Sequence, residues 1–277
     1  MATNAPMIRY VAETVAAFEQ HQSVLRLTAT TEHMRDGNIA TFLVAGSGGR
    51  EATTRGLDGR IPGNAPVLTQ NQCTLVEWHD KEVRTDFNVF ESQGDARRIS
   101  QMDVVGVINR KIDADILGNN GLGAATLGDS VAQQTSLDWI LSHQAALGEN
   151  EVPIDEEDNV FCAITPRLRS KLFQIKEFGS GEYVEIKPFN GPARKMYRWA
   201  GINFLMSTRL SGMTTESATC YMWHRSALGH AIANGHPDVD GDYNREDKYW
   251  WHLASAYIGS KLLQNTGVRK MLHVDNQ

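Results

Sequence analysis

A glycine- and arginine-rich stretch at residues 46–64, GSGGREATTRGLDGRIPGN, constrains the fold of this chain more than any other segment. It lies between two segments rich in β-branched and aromatic residues, 39–45 (IATFLVA) and 73–90 (CTLVEWHDKEVRTDFNVF). A phosphate-binding loop needs a helix that starts at its glycines, because the N–H groups of the helix start bind the anion. The flanking pattern here predicts strands and no helix. We therefore predict an extended β-excursion and no nucleotide site.

Composition places the chain among ordinary globular proteins. It has 277 residues, 41% of them hydrophobic, and a formal net charge of -6. No apolar run approaches the ~18 residues of a membrane span, and the start MATNAPMIRY lacks the basic flank and apolar core of a secretory signal. The three cysteines are widely spaced, so they predict neither a disulfide framework nor a metal clip. The acidic balance argues against a dedicated nucleic-acid-binding protein.

The N-terminal segment has the periodicity of an amphipathic helix. Over residues 7–25, apolar side chains recur at steps of three and four, which places them on one helix face. The stripe consists of Ile8, Val11, Val15, Phe18 and Leu25. Because the stripe is narrow and the other faces are polar, the helix must lie on another surface. Two interpretations stay open: the helix packs on its own core, or it is an arm that lies on a neighbouring subunit.

Residues 95–117 give the clearest helix signal, and Gly118 is a suitable terminator. The apolar stripe consists of Ile99, Met102, Val105, Ile108, Ile112 and Ile116. The charged residues of the other faces are typical of a solvated surface. They are Arg97, Arg98, Arg110, Lys111, Asp113 and Asp115.

The remaining elements alternate without a regular βαβ rhythm, which predicts an α+β fold. The tail from Tyr249 to Val274 fits either helix or strand. Further predicted elements are a helix at 130–147 capped by Asp129, a buried strand at 159–165, a proline-started helix from Pro166 to about Ile175, strands at 183–187, 197–207 and 218–223, and a helix at 225–234.

The strongest candidate metal site is HPDVDGDYNRED at 236–247, which resembles a calcium-binding loop. Aligning Gly241 with the sixth loop position puts His236 at the first position and Asp247 at the twelfth. A calcium loop needs a carboxylate first and a bidentate glutamate last, so an acidic surface loop is the better interpretation. No nucleophile motif and no His-Glu-x-x-His motif occurs. We predict no catalytic residues, no metal ligands and no cofactor.

The order of these segments resembles the major capsid proteins of tailed bacteriophages, which share the Hong Kong 97-like coat fold. YVAETVAAFEQHQSVLRLTATT is similar to their N-terminal arm, and the 46–64 excursion is similar to their extended E-loop. GDARRISQMDVVGVINRKIDADIL resembles their long spine helix, and NVFCAITPRLRSKL resembles the strand and proline-started helix of their axial domain. YIGSKLLQNTGVRKMLHVD is similar to their closing strands.

The resemblance implies a fold class and a domain division. The fold class is α+β, a Hong Kong 97-like capsid fold with N-terminal arm, extended E-loop hairpin, peripheral domain with long spine helix, and axial domain. The implied divisions are an arm at 1–30, the E-loop excursion and its flanking strands at 31–91, the spine helix of the peripheral domain at 92–128, a mainly axial domain at 129–247, and closing strands of the peripheral domain at 248–277.

The resemblance also implies a function, which is a major capsid protein that self-assembles into the icosahedral head shell around a tailed-phage genome. Such a protein is not an enzyme and needs no cofactor. It forms hexamers and pentamers, contacts double-stranded DNA non-specifically and does not use a membrane. It is found in the virion after assembly in the host bacterial cytoplasm. The implied contacts between subunits are made by Arg50, Arg55 and Arg60 of the excursion and by Ile8, Val11, Val15 and Phe18 of the arm.

Two features depart from the family pattern. The arm begins almost at Met1, so the expected partners include a separate scaffolding protein, besides a portal and an optional decoration protein. No lysine occurs between Ile39 and Asp80, so covalent self-crosslinking through an E-loop lysine is not expected. Two alternatives remain: an encapsulin-like nanocompartment shell, and a soluble metal-dependent enzyme that uses the 236–247 segment.

Overall fold

The computed structural model describes residues 22–55, 59, 61, 63, 65–87, 96–156, 158–176 and 196–276. These residues fall into two compact units. The first unit takes its described residues from 22–23, Glu77–Ile112 and Gly235–Tyr257. The second takes them from Val24–Val76, Asp113–Asn234 and Ile258–Gln277. The predicted strand at 183–187 and most of the predicted arm helix lie outside the described residues, and residues 22–25 are not helical.

Helices and strands are mixed along the chain, which confirms the predicted α+β class. The helices are α1 (Ala96–Leu117), α2 (Leu137–Glu149) and α3 (Pro166–Leu172). The strands are β1 (Thr30–Met34), β2 (Ile39–Gly46), β3 (Val67–Thr74), β4 (Val76–Thr85), β5 (Val160–Ile164), β6 (Met196–Trp199), β7 (Ile202–Met206), β8 (Ala218–His224), β9 (Leu228–Ala233), β10 (Asp238–Asn244), β11 (Tyr249–Leu262) and β12 (Val268–His273). No described helix combines the length and the apolar character needed to cross a membrane.

The largest sheet of the second unit has the strand order β12-β8-β5-β7-β6. The central strand β5 runs parallel to β7 and antiparallel to β8, and all five of its residues are buried. This position explains its uninterrupted apolar sequence and confirms the predicted strand. Thr165 then caps α3, since its Oγ1 accepts from the Leu168 N–H at 3.1 Å and Pro166 takes the first helical position. The helix ends at Leu172, slightly earlier than predicted.

The prediction of a helix at 225–234 is wrong. After a short 3-10 turn at Arg225–Ala227, residues Leu228–Ala233 form β9, which pairs in parallel with β1 and antiparallel with the second half of β11. The first five residues of β9 are all buried. A short apolar run fits either structure by periodicity, and here two flanking strands supply the backbone hydrogen bonds.

The β2–β3 hairpin confirms that the glycine-rich stretch joins two strands. Their register runs from Ile39 opposite Thr74 to Gly46 opposite Val67. The strand pattern predicted over 73–90 is divided between two strands, because β3 ends at Thr74 and β4 runs from Val76 to Thr85. Between them, the N–H of Leu75 turns away from the ladder and donates to the Asn38 carbonyl at 2.7 Å.

Strands also make up the C-terminal part of the chain. The acidic segment at 236–247, predicted as a loop, contains β10, and β10 pairs antiparallel with Tyr249–Ser255 of β11. β4 also pairs with β11. The ambiguous tail therefore consists of two strands, β11 and β12, separated by a 3-10 turn at Asn265–Gly267.

α1 confirms the predicted long helix but corrects its stripe. The buried line runs in steps of four through Val104, Ile108, Ile112 and Ile116. Met102 was predicted on the stripe, but its side chain is 47% exposed. A helix turns about 100° per residue, so Met102 lies about 120° away from Ile108, whereas residues four apart stay within about 40° of each other.

α2 begins later than predicted, at Leu137, and Ser136 is its cap, with its Oγ accepting from the Trp139 N–H at 3.1 Å. The preceding residues run beside β12, with Gly128 bridging to Lys270. Gly128 has φ +143°, and a Cβ there would lie 1.9 Å from the Lys270 carbonyl oxygen. Only glycine fits this approach, which explains why the chain is extended before the helix.

Candidate assembly surfaces

The β2–β3 hairpin exposes apolar side chains that its own unit does not cover. In an antiparallel pair, opposite residues share a face, so Ile39, Leu43 and Leu68 lie on the outer face. Their side chains are 48%, 63% and 56% exposed. On the inner face, Ala40, Phe42 and Cys73 are buried near the base of the hairpin, while Val67 near its tip is 52% exposed. Exposed apolar surface on both faces of the distal hairpin is typical of surfaces that contact another molecule.

The tip of the hairpin is turned by Gly48 and Gly49, whose φ angles of +66° and +74° suit glycine. The Arg50 Nε donates to the Ser47 carbonyl at 2.7 Å, which closes this turn. Arg55 is exposed. The third predicted contact residue, Arg60, and the predicted arm contacts Ile8, Val11, Val15 and Phe18 lie outside the described residues.

In the first unit, one face of β4 contacts α1. Lys111 Nζ lies 3.6 Å from the ring centroid of Trp78, and Arg84 Nε donates to Ser100 Oγ at 3.0 Å. The alternate residues of β4 lie on the other face and are exposed: Glu77, His79, Lys81, Val83 and Thr85. Lys81 extends over the Tyr249 and Trp251 rings at 5.9 and 5.4 Å, so aromatic side chains of β11 share this open face.

The acidic residues of the predicted calcium-like segment are on β10. Asp238, Asp240 and Asp242 alternate along this strand, and all three are exposed. Alternation on a strand places them in a row, whereas an ion-binding loop wraps its ligands around one point. The described residues contain no group of three or more His, Cys, Asp and Glu side chains arranged to hold a metal ion.

A buried array in the second unit has the residue types of a thiol catalytic site. Cys220 Sγ lies 3.6 Å from His273 Nδ1, and His273 Nε2 lies 3.1 Å from Asp275 Oδ1. Burial raises the pKa of Cys220 to about 12 and lowers the pKa of His273. Burial opposes ionisation of Asp275, but hydrogen bonds from the Thr214 N–H, Thr165 and His273 lower its pKa overall. The result is a neutral, inaccessible thiol beside a neutral imidazole, which is a structural arrangement.

This array joins the C-terminal residues to the core of the second unit. The Asp275 carboxylate accepts from Thr165 Oγ1 at 2.9 Å and from the Thr214 N–H at 2.7 Å. Asp129, predicted as a helix cap, has a similar joining role. Its Oδ2 accepts from Trp139 Nε1 at 2.9 Å and from the Leu272 N–H at 3.1 Å. Sequence patterns missed both roles because each carboxylate has a partner more than a hundred residues away in the chain, Thr165 for Asp275 and Leu272 for Asp129.

Comparison with known proteins identifies the family of this chain. A family model described as phage capsid protein matches residues 2–275. The chain belongs to the phage capsid protein family. This confirms the resemblance found in the sequence. A comparison with curated proteins gave no significant match.

Several solved structures resemble the fold of this capsid protein over nearly its whole length. A structure of Mycobacterium phage Che8 is 15% identical with a TM-score of 0.71, and the match covers 98% of each chain. The capsid of Ralstonia phage GP4 is 12% identical with a TM-score of 0.69, covering 99% of this chain and 97% of the other. The SrpI encapsulin complex of Synechococcus elongatus is 10% identical with a TM-score of 0.62, covering 97% and 94%. At these identities the comparison shows the fold, and the predicted Hong Kong 97-like class is confirmed.

In a member of the capsid family, an exposed apolar hairpin is a candidate surface for contacts between copies. A capsid protein is a structural shell component, located in the virion capsid, and its functional surfaces are contacts between copies. The absence of a catalytic motif from the sequence agrees with such a role. The glycine-rich pattern predicted the excursion but not the exposed apolar residues Leu43 and Leu68. Apolar residues on both faces of the strands flanking residues 46–64 were the available signal.

Proposed function

We propose that this chain is the major capsid protein of a tailed phage and that it self-assembles into a closed icosahedral head shell around double-stranded DNA. Its copies form hexamers and pentamers in the host bacterial cytoplasm, with a separate scaffolding protein, a portal and an optional decoration protein as partners. It contacts DNA non-specifically and has no catalytic role. The domain division given by the sequence stays part of this proposal, with the arm at 1–30 and the E-loop excursion at 31–91.

The β2–β3 hairpin is the observation that carries the proposal. Leu43 and Leu68 on its outer face and Val67 on its inner face are all more than half exposed. Burying a fully exposed side chain of this size contributes about 1.5–3 kcal/mol, so each of these half-exposed side chains contributes about half of that. A neighbouring copy that covers the hairpin therefore gains a sizeable contribution at every repeat of the shell. In this arrangement Arg50, Arg55 and Arg60 at the tip set the register against acidic groups of the neighbour.

The same proposal assigns the N-terminal arm to a contact with a neighbouring subunit. Ile8, Val11, Val15 and Phe18 form one stripe in the sequence, and a stripe of this width covers a neighbouring subunit.

The direct test is assembly of the purified full chain, with and without a scaffolding protein from the same phage. Sedimentation and electron microscopy are expected to show shells, tubes or capsomers. Nucleic acid packaged in particles from infected cells is expected to be double-stranded DNA. A chain that stays monomeric at high concentration with its scaffolding protein present contradicts the proposed function.

An encapsulin-like compartment is the second candidate, because the fold of an encapsulin also matches nearly the whole chain. The two functions differ in content. A phage head encloses DNA, whereas a compartment shell encloses protein. Particles isolated from the native host cells and analysed for nucleic acid and for co-purifying protein separate them.

A further inference from the structure

Two oppositely charged segments flank β5 in the sequence. Residues 149–158 (ENEVPIDEED), here called the acidic connector, carry six Asp and Glu and no Lys or Arg. Residues 166–176 (PRLRSKLFQIK), here called the basic segment, carry four Lys and Arg and no Asp or Glu. A solvated surface normally mixes both signs, so this separation within one unit needs an explanation.

The two segments lie at opposite ends of the large sheet. The connector precedes β5, whose start is Val160, and the basic segment follows its end at Ile164. Contacts agree with this, because Lys171 Nζ donates to the Val274 carbonyl just after β12, which also runs parallel to β5. A five-residue strand spans about 16 Å. Screening in physiological salt acts over about 8 Å, so the two segments do not neutralise each other within one subunit.

The basic segment lines an open depression of about 650 Å³, here called the basic depression. Arg167, Ser170, Lys171, Gln174 and Asn276 are among its lining residues. Arg167 Nη1 donates to the Asp275 carbonyl and Lys171 Nζ to that of Val274. A neutral carbonyl holds each cation in place without cancelling its charge. Neither cation pairs with a carboxylate side chain among the residues that the structure describes.

The acidic connector presents its charges outward. Glu149, Glu151 and Asp155 are exposed, and none of the three has an ion-pair partner in the described part of the chain. Backbone hydrogen bonds order the connector, since the Val152 N–H donates to the Leu147 carbonyl at 3.2 Å and the Glu151 N–H to that of Gly148 at 2.9 Å. Within the connector, Asp158 pairs with Arg198 and Glu156 lies 3.8 Å from His224 Nε2. Glu149, Glu151 and Asp155 therefore form the part of this ordered acidic surface that lacks an ion-pair partner among the described residues.

We propose that the acidic connector of one copy binds the basic depression of the next copy. This inference rests on the proposed shell function and names a contact within its capsomers. The two surfaces differ, so the contact is head-to-tail and closes into a ring when the rotation between copies allows it. Charge complementarity sets partner and register. A second copy is favoured over nucleic acid because each chain supplies both complementary surfaces, and because the protein has a net charge of -6.

The test uses charge reversal at each surface of the full chain. The depression variant is Arg167→Glu/Lys171→Glu, and the connector variant is Glu151→Lys/Asp155→Lys. Each variant alone is expected to lose at least tenfold in capsomer yield by sedimentation. A chain that carries all four substitutions is expected to recover most of the yield. Wild-type yield is expected to fall as salt rises, because screening weakens the contact.

Mixing the two variants tests whether the contact is between copies. The depression variant is acidic at both surfaces, and the connector variant is basic at both. Each therefore binds only the other variant, so the two must alternate around a ring. Their equimolar mixture is therefore expected to form rings with an even number of copies, with both variants present in equal amounts. Native mass spectrometry measures both quantities.

Two control variants test whether a loss of assembly comes from unfolding or from charge reversal at an unrelated site. Ser170→Glu/Gln174→Glu adds negative charge to the depression and leaves the bonds of Arg167 and Lys171 in place, so its loss of assembly is not attributable to unfolding. Arg209→Glu reverses an exposed cation that lies outside the basic segment and does not line the depression, and it is expected to assemble normally. Melting temperatures of all variants are compared with wild type.

The outcomes separate the two proposals. Wild type that assembles while both reversed variants also assemble overturns this contact and leaves the shell function intact. Loss of DNA binding by the depression variant with unchanged capsomer yield overturns it in favour of nucleic acid as the occupant. A mixture that fails to form even-numbered rings also overturns it. Wild type that forms no oligomer overturns the contact and the proposed function together.

Discussion

At the scale of single residues, Asp113 shows how a charge can be part of the core. It was predicted on a solvated helix face, and that prediction is wrong, because the residue is fully buried. Its carboxylate accepts from the Val24 and Leu25 N–H groups, each at 3.1 Å. The side chain therefore fixes the start of the described N-terminal segment on the end of α1.

We expect Asp113→Asn to lower the free energy of unfolding by about 1–3 kcal/mol, because an amide NH2 then faces a buried N–H donor. The matched control is Asp36→Asn, at an exposed turn residue followed by Gly37, which is expected to change stability by less than about 0.5 kcal/mol. Denaturant unfolding of the unassembled subunit measures both. Equal effects of the two substitutions contradict the role assigned to Asp113.

His230 makes the second unit sensitive to acid. Ser260 Oγ donates to Asp115 Oδ2 at 2.6 Å, so its oxygen accepts from His230 Nδ1 at 3.1 Å. Nε2 of His230 is buried and has no hydrogen-bond partner among the described residues. Burial, helped by Arg26 and His33, lowers the pKa of His230 to about 4.

The direction in which stability changes with pH follows from the lowered pKa of His230. The folded-state pKa lies below the ordinary value of 6.5, so the unfolded chain binds the proton more tightly. The contribution of neutral His230 to stability is therefore fully present above pH 6.5 and is lost between pH 6.5 and 4, by roughly 3 kcal/mol in total. We expect His230→Gln to flatten this part of the stability–pH curve relative to wild type. Curves with the same slope would show that His230 is not the titrating group.

At the scale of elements, α1 offers a matched pair of substitutions. Ile108 is 2% exposed and Met102 is 47% exposed on the same helix. Ile108→Asp buries an unpaired charge and is expected to cost several kcal/mol, about enough to make the protein insoluble. Met102→Asp is expected to cost less than about 1 kcal/mol. Soluble yield and melting temperature measure both, and similar behaviour of the two variants would contradict the corrected stripe.

A replacement in the β2–β3 hairpin tests the folding of the subunit and its assembly separately. We expect that replacing residues 47–66 with a two-residue Asn-Gly turn keeps the Gly46–Val67 end of the hairpin paired. The buried base at Ala40, Phe42 and Cys73 is untouched, so the melting temperature of the subunit is expected to change by only a few degrees, about the effect of 1 kcal/mol. Shell formation is expected to be lost. A variant that unfolds, or one that still assembles, contradicts the assignment of this segment to contacts between copies.

At the scale of the whole molecule, assembly and stability are linked. A partner that binds only the folded state stabilises it by mass action, by about 2.7 kcal/mol at a hundredfold excess over the dissociation constant. We therefore expect the apparent melting temperature of wild type to rise by roughly 5–10 °C between dissociated and assembled samples. Scanning calorimetry of both samples measures the shift. The hairpin-replacement variant is the control and is expected to show none.

Local signals in the sequence determined much of this protein. The β-excursion, the buried strand β5, the Thr165 cap with its proline, and the long helix α1 were all predicted, because each depends on periodicity or on residues only a few positions apart. The α+β class followed from their irregular order. The resemblance to phage capsid proteins came from the order of segments over the whole chain, and the family match over residues 2–275 confirmed it.

Only the tertiary structure decided the elements whose hydrogen-bond partners are distant in the chain. Leu228–Ala233 is a strand because β1 and β11 flank it, although its apolar spacing also fits a helix. Asp113 is buried because two backbone N–H groups nearly ninety residues away reach it. Periodicity shows which side of an element is apolar. Strand pairing and burial depend on which distant segments contact that element, and no local sequence pattern specifies those contacts.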